Sequence, residues 1–405
     1  SIPAGANQIV RQYDDTGLTS GRGSVVIASS QPLGAMVQEL VRTGVPSSGA
    51  YTGIDVPSAV WYIPLLAHHG GSATGIANSQ IIIQNVGTSA VNFSVALYAL
   101  GASTPTYTKN YTGIAAGASA LYDLEEETNL PNGFWGSAVV STASGSIGVV
   151  TNLFVGADSL GAYNAFPQEA VDDTWYVPLL YVRLGNSLTT SLAIQNLSGV
   201  SIPVGDLSLV CIKNPAAPGA GTITLTNHTA IANNGAYTFN TLTDTTRFPD
   251  AGWYGSCKLQ TAGAQDIVVF VQDRFTANSQ QGAYGAVPGS MSSTNVSVPL
   301  VAKRLANGFA NTVTIQNLSA STATVTLTYI PSGGGTPIVR TGLTIGAGAS
   351  LIRNFRLPAT ELPEITDGWV GSLTVTSDQP IAAFVQNTFL DVYGDRLMEY
   401  LGFNY

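Results

Sequence analysis

Charge is what this chain has least of. Charged residues make up 10% of 405, against about 25% in an average soluble domain. The 15 Lys and Arg, only four of them Lys, face 24 Asp and Glu, for a net charge of −9. A nucleic-acid partner is excluded on that balance, because phosphate recognition needs a basic face. Histidine is equally scarce, at three residues, His68, His69 and His228. A Ser-His-Asp arrangement would need one of them, and no Gly-x-Ser-x-Gly elbow accompanies any. Phosphate loops, dinucleotide fingerprints and Cys-x-x-Cys pairs are missing too. No apolar run approaches the roughly 18 residues of a membrane span, and there are no heptads. The first residues, Ser1-Ile2-Pro3, show neither the charged nor the apolar region of a leader. A secreted or cell-surface location is therefore expected only indirectly.

The missing charge is replaced by Ser, Thr, Asn, Gln and 44 Gly, while apolar residues reach 45%. This composition builds cores and a neutral, hydroxyl-rich surface, not a disordered chain.

What the chain does have is repetition. Trp61-Tyr-Ile-Pro-Leu-Leu66, Trp175-Tyr-Val-Pro-Leu-Leu180 and Val296-Ser-Val-Pro-Leu-Val301 open three segments alike. Each leads to an apolar run ending in Gln-Asn: Gln84-Asn85, Gln195-Asn196 and Gln316-Asn317. Four landmarks of the second half recur four times. They are a Gly-Ala pair (Gly5, Gly117, Gly235, Gly348), a Gly-Ser pair (Gly23, Gly136, Gly255, Gly371), a Val followed by two polar residues (Val37, Val150, Val271, Val385) and a closing tyrosine (Tyr51, Tyr163, Tyr284, Tyr400). The period predicts an N-terminal half module, 1–57, then β-sandwich modules 58–173, 174–294 and 295–405.

Each module reads as all-β. Val91, Phe93, Val95 and Leu97 alternate with polar or small residues, as do Val325, Leu327 and Tyr329, the period of a half-buried strand. Ser24-Val-Val-Ile27 and Ser372-Leu-Thr-Val375 are further expected strands. Seven or eight short strands per module, with no helical stretch, suit tandem immunoglobulin-like sandwiches. The Gly of each Gly-Ala pair is expected at positive φ. Short linkers predict modules stacked end to end as a semi-rigid rod.

Candidate sites are few. Leu207, Leu209 and Cys211 share one strand face, and Cys257 and Leu259 share another. Both thiols point inward, which suits a cross-sheet disulfide; two buried free thiols are the alternative. Closing such a loop stabilises by about 4 kcal/mol in the chain-entropy model. The densest charge, Asp123-Leu-Glu-Glu-Glu127, reads as a solvated loop, with a Ca²⁺ site or a carboxylate pair for glycoside hydrolysis as the minority reading. No other metal or cofactor is expected, and no catalytic residue. Asn92-Phe-Ser94 and Asn317-Leu-Ser319 are glycosylation sequons.

The combined pattern of Pro-Leu-Leu, Ile-Gln-Asn, Gly-Ala, Trp-x-Gly-Ser and a closing Tyr resembles the tandem β-sandwich repeats of bacterial cell-surface proteins, such as S-layer, sheath and extracellular filament subunits. The resemblance implies a non-enzymatic structural subunit that self-assembles. The expected partner is then another copy of the chain, joined head to tail through the N-terminal segment carrying Ile2, Val10 and Tyr13. An adhesin or carbohydrate-binding array, with glycan partners, is the rival reading.

Overall fold

A computed structural model describes the chain except residues 1, 19–20, 42–46, 73–74, 158, 186, 278, 359–363 and 391–393. The described residues form an all-β protein of β-sandwich modules. A hairpin comes first, β1 (Met36–Leu40) with β2 (Ser48–Thr52).

The next module contains β3 (Val60–His68), β4 (Gly70–Ser72), β5 (Gly75–Asn85), β6 (Val91–Ala99), β7 (Tyr107–Ile114) and β8 (Ser119–Asp123). It continues through β9 (Phe134–Thr142), β10 (Ile147–Val155), β11 (Ser159–Asn164) and β12 (Phe166–Pro167). One sheet has the order β12-β3-β9-β6-β7; the other runs β11-β10-β5-β4, with β8 on the free side of β5.

The following module repeats the plan with β13 (Thr174–Val182), β14 (Leu188–Asn196), β15 (Leu207–Lys213), β16 (Thr222–Thr226) and β17 (Ala236–Asn240). Its later strands are β18 (Trp253–Thr261), β19 (Ile267–Phe275), β20 (Gln280–Gly285) and β21 (Val287–Pro288). The sheets are β16-β15-β18-β13-β21 and β17-β14-β19-β20.

The last module has β22 (Ser293–Ala302), β23 (Phe309–Asn317), β24 (Ala323–Pro331), β25 (Ile338–Ile345), β26 (Ser350–Asn354), β27 (Val370–Phe389), β28 (Met398–Leu401) and β29 (Phe403–Asn404). Here β27 serves both sheets. Its first part pairs with β22 and β24, and its second part with β23 and β28.

The repeated residues have assignable jobs. Each landmark proline sits where the ladder slips: between Ile63 and Leu66, Val177 and Leu180, and Val298 and Val301. Proline has no N–H to give, so a bulge is where it fits inside a sheet. The bulge frees the next carbonyl. Tyr163 Oη donates to Leu65 O (2.9 Å), Tyr284 Oη to Leu179 O (3.3 Å) and Tyr400 Oη to Leu300 O (3.1 Å). The landmark asparagines staple the turn after their strand. Asn317 Nδ2 donates to Ser321 O (2.7 Å) and Ile345 O (3.0 Å), and its Oδ1 accepts from Ser319 N. Asn85 and Asn196 do the same. Asn317 is buried, so its sequon is spent on structure.

Two expectations need correction. Ser24–Ile27 is not in a strand, because neither neighbour that brackets the equivalent strands exists beside it. Nor do the modules form a rod. Strands β2, β11, β20 and β28 all meet, and one buried cluster runs from Trp61 to Phe275 and on to Phe384 and Leu397. Replacing Asn317 with Ala leaves two buried carbonyls and an N–H unpaired, and is expected to cost about 2–4 kcal/mol. Chemical denaturation followed by tryptophan fluorescence checks this.

Candidate interaction surface

The modules close on one another through a repeated hydrogen bond. The serine of each Gly-Ser pair donates to a corner carbonyl of the next unit. Ser24 Oγ reaches Gly117 O, Ser137 Oγ reaches Asn234 O and Ser256 Oγ reaches Gly348 O, each at 2.7 Å. Ser372 Oγ donates to Gly5 O and completes the circle. The four corner residues all lie at positive φ: Gly5 at 72°, Gly117 at 72°, Asn234 at 61° and Gly348 at 67°. The corner of the third unit is thus Asn234, one residue before the expected Gly235. Asparagine tolerates this left-handed backbone better than other non-glycine residues.

A second bond follows the same path. Gln195 Nε2 donates to Ala138 O and Asn234 O, and Gln316 Nε2 to Cys257 O and Gly348 O. Rings stack between units as well: Tyr163 lies 4.3 Å from Phe270, and Tyr284 4.4 Å from Phe384, centroid to centroid. The N-terminal half module therefore takes the fourth position of a pseudo-symmetric ring. It docks on its own chain from both sides. Asn7 Nδ2 donates to Pro299 O at 2.7 Å, and Asn164 bonds Thr52 through both ends of its amide.

Close approach at the axis explains a signal the tyrosines hid. Gly-Ala precedes Tyr51, Tyr163 and Tyr284. A Cβ on Gly49 would lie 2.7 Å from the Ala162 Cβ, and one on Gly161 2.9 Å from the Ala283 Cβ. Only glycine lets these backbones meet. Tyr400 instead follows Met398-Glu399, and Glu399 fills the axis beside Gly282.

Buried carboxylates gather there. Asp273 accepts from Thr190 Oγ1 at 2.5 Å, and burial pushes its pKa up to about 7. Burial and the neighbouring Asp273 raise Glu399 strongly. Asp395 is raised by burial although it accepts the N–H groups of Leu160 (2.8 Å) and Gln281 (3.1 Å). Asn152 Nδ2 donates to Glu39 at 2.9 Å, another carboxyl raised by burial.

The other candidate residues fall apart from this axis. Cys211 and Cys257 are bonded, with Cα atoms 4.0 Å apart. They sit directly opposite each other on β15 and β18, so the bridge joins neighbours within one sheet and does not cross between sheets. In the acidic loop Glu125 and Glu126 are exposed, and Glu127 turns inward, where it takes Tyr122 Oη (3.0 Å), Lys109 Nζ (3.3 Å) and Asn129. Among the described residues no three His, Cys, Asp or Glu converge as a metal cage. His68 Nδ1 lies 2.5 Å from Leu124 O, and His228 Nδ1 2.7 Å from Tyr237 Oη.

Ile2, Val10 and Tyr13 form no strand; Gln12–Asp14 is a short 3₁₀ turn, and Val10 is 81% exposed. Gly5 and Asn7, inside that segment, are engaged with the same chain's last module.

Two measurements test the axis. Gly49→Val should undock residues 1–57, and limited proteolysis should then cut them faster while 58–405 resists; Gly21→Val, in open space, should change nothing. The raised carboxyls bind protons more tightly folded than unfolded. Their contribution is complete below the unfolded value of about 4 and is lost as pH rises through the folded value. The unfolding midpoint should thus fall between about pH 4 and pH 7, and Asp273→Asn should flatten that fall.

No known protein family matches the chain, and no curated protein is similar to it. Among solved structures, the crystal structure of Thermotoga maritima 1070 shares 18% identity over 28% of this chain and 95% of that one, with a TM-score of 0.23.

Proposed function

We propose that this chain is a non-enzymatic structural subunit of the cell exterior, one that assembles with other polypeptides into a filament, sheath or surface layer. The observation that carries the reading is the ring itself. The repeated Ser, Gln, Tyr and Asn side chains, which could have served chemistry, are spent on joining strands and units. Glu127 of the acidic loop and the three histidines are likewise bonded internally. One depression of about 520 Å³ is open and lined by His228, Thr238 and Asn240 with the Arg247–Asp244 ion pair. It contains no aromatic platform for a sugar ring. Linkage in such an assembly runs through the incomplete fourth position and not through a freely extended N-terminal strand.

Negative-stain microscopy of the purified protein, alone and with envelope fractions of its source, tests this reading. Ordered filaments or lattices are expected. Dispersed particles that bind a glycan array would overturn it, as would hydrolysis of a polysaccharide or peptide panel that is lost on Glu125→Gln or Glu126→Gln.

A further inference from the structure

The fourth ring position holds only the later half of a module, and its surfaces are those that an earlier half covers elsewhere. In each complete module the strand ending in Gln-Asn lies between two partners: β5 between β8 and β10, β14 between β17 and β19, β23 between β26 and β27. At the fourth position the matching partners are residues 7–11 and β1; among the described residues β1 pairs only with β2, and residues 7–11 pair with no strand. In each complete module the Gly-Ser strand is flanked on both sides, as β9 is by β3 and β6. Residues 23–27 pair with no described strand on either side.

The side chains agree. Ala138, Cys257 and Leu373 are buried, whereas the matching Val25 is 64% exposed. Val140, Leu259 and Val375 are buried, whereas Ile27 is 61% exposed. Polar groups are left over at the same place. The Gln84 amide nitrogen is buried with no partner, although Gln195 and Gln316 each find the carbonyl of the residue matching Val25. The Gln38 amide nitrogen, on β1, is also buried without a partner. The Tyr51 hydroxyl, held up to about 12 by burial and Glu39, faces no Pro-Leu bulge of the kind that receives Tyr163, Tyr284 and Tyr400.

We infer that this position is a docking site for an earlier half module carried outside residues 1–405. Its chemistry is set by the three examples in this chain. It is an all-β segment with a Pro-Leu bulge, whose leucine carbonyl takes the Tyr51 hydroxyl. It also carries an apolar strand ending in Gln-Asn, which inserts between residues 7–11 and β1 by main-chain pairing. Its glutamine amide matches Gln195 and Gln316, and so donates to the carbonyls of Leu373 and Gly5. Seating its flanking strands draws residues 23–27 into register and brings the Val25 carbonyl to Gln84. The three earlier halves within residues 58–405 are not the occupant, because each is already seated in its own sandwich. The inference names the partner for the assembly role proposed above and rests on that reading only for its biological setting.

The probe is a labelled peptide with the sequence of residues 308–318, which contains β23. It is used free, and also tethered ahead of Ile2 by a flexible Gly/Ser linker that raises its effective concentration to the millimolar range. The free peptide should bind the full chain one to one. Hydrogen exchange should slow at residues 7–11 and 36–40, most strongly in the tethered form. Val25→Asp with Ile27→Asp, both at exposed positions, should weaken free-peptide binding at least 10-fold, and so should Leu in the peptide at the position of Gln316. Unchanged exchange in the tethered chain, or protection elsewhere, would overturn the inference. Self-association without peptide that protects residues 7–40 would overturn it too, by making a second copy the occupant. Peptide binding by a chain that never assembles would sink the proposed function and leave the docking site standing.

Discussion

Everything in this molecule depends on a carbonyl turned outward at a tight corner. A backbone at positive φ aims the peptide oxygen away from its own module, and the serine of the preceding unit meets it. Because the same corner occurs four times, the contact can be satisfied four times, and the last of these joins Ser372 to Gly5. A neutral hydrogen bond contributes only about 1 kcal/mol net. Its importance here is geometric. The bond sets the angle between successive units, and four equal angles return the chain to its start, whereas a linear array leaves two exposed ends.

The scarcity of charge follows from that closure. Inter-unit contacts are made by serine, glutamine, tyrosine and main chain, groups that desolvate at far lower cost than ions. Charge is buried at the axis, and there burial pushes Asp273, Glu399 and Asp395 toward their protonated forms. Glu399 stands where the other three units have alanine. The ring is thus not fully symmetric at its centre. One unit marks the junction with a carboxyl, whose nearest neighbour, Asp273, comes from the unit before it.

Much of this was legible in the sequence. The all-β class, the alternation of Val325, Leu327 and Tyr329, and the inward parity of Cys211 and Cys257 follow from local pattern, and local pattern is what a strand's two faces encode. The relation between modules was not legible. Gln84, Gln195 and Gln316 look alike as letters, yet two join units and one has no partner. The Gly-Ala ahead of each of three tyrosines was the readable clue to close packing at the axis. It describes which atoms must be absent, and an absent Cβ says nothing of what approaches it until the neighbour is placed. Residues 23–27 show the converse error. Their alternation is that of a strand, but a strand exists only when its edges are paired, and no described strand pairs with them.

That point bears on how an open edge is tolerated at all. Exposed strand edges with apolar faces invite indiscriminate pairing, and proteins usually blunt them with charge, proline or a bulge. Here Val10, Val25, Val26 and Ile27 are exposed, with Arg11 and Arg22 close by in sequence. The protection is conformational instead. With no neighbour to pair with, residues 7–11 and 23–27 do not adopt a strand, so they present no ready ladder. Pairing then requires a partner that orders them while it binds, and ordering each residue costs about 1–2 kcal/mol. Only a segment that fills the whole gap, burying Val25 and Ile27 together, recovers that cost. A single stray strand does not. The incomplete unit thereby selects by completeness of fit, which gives specificity to a surface that carries almost no charge.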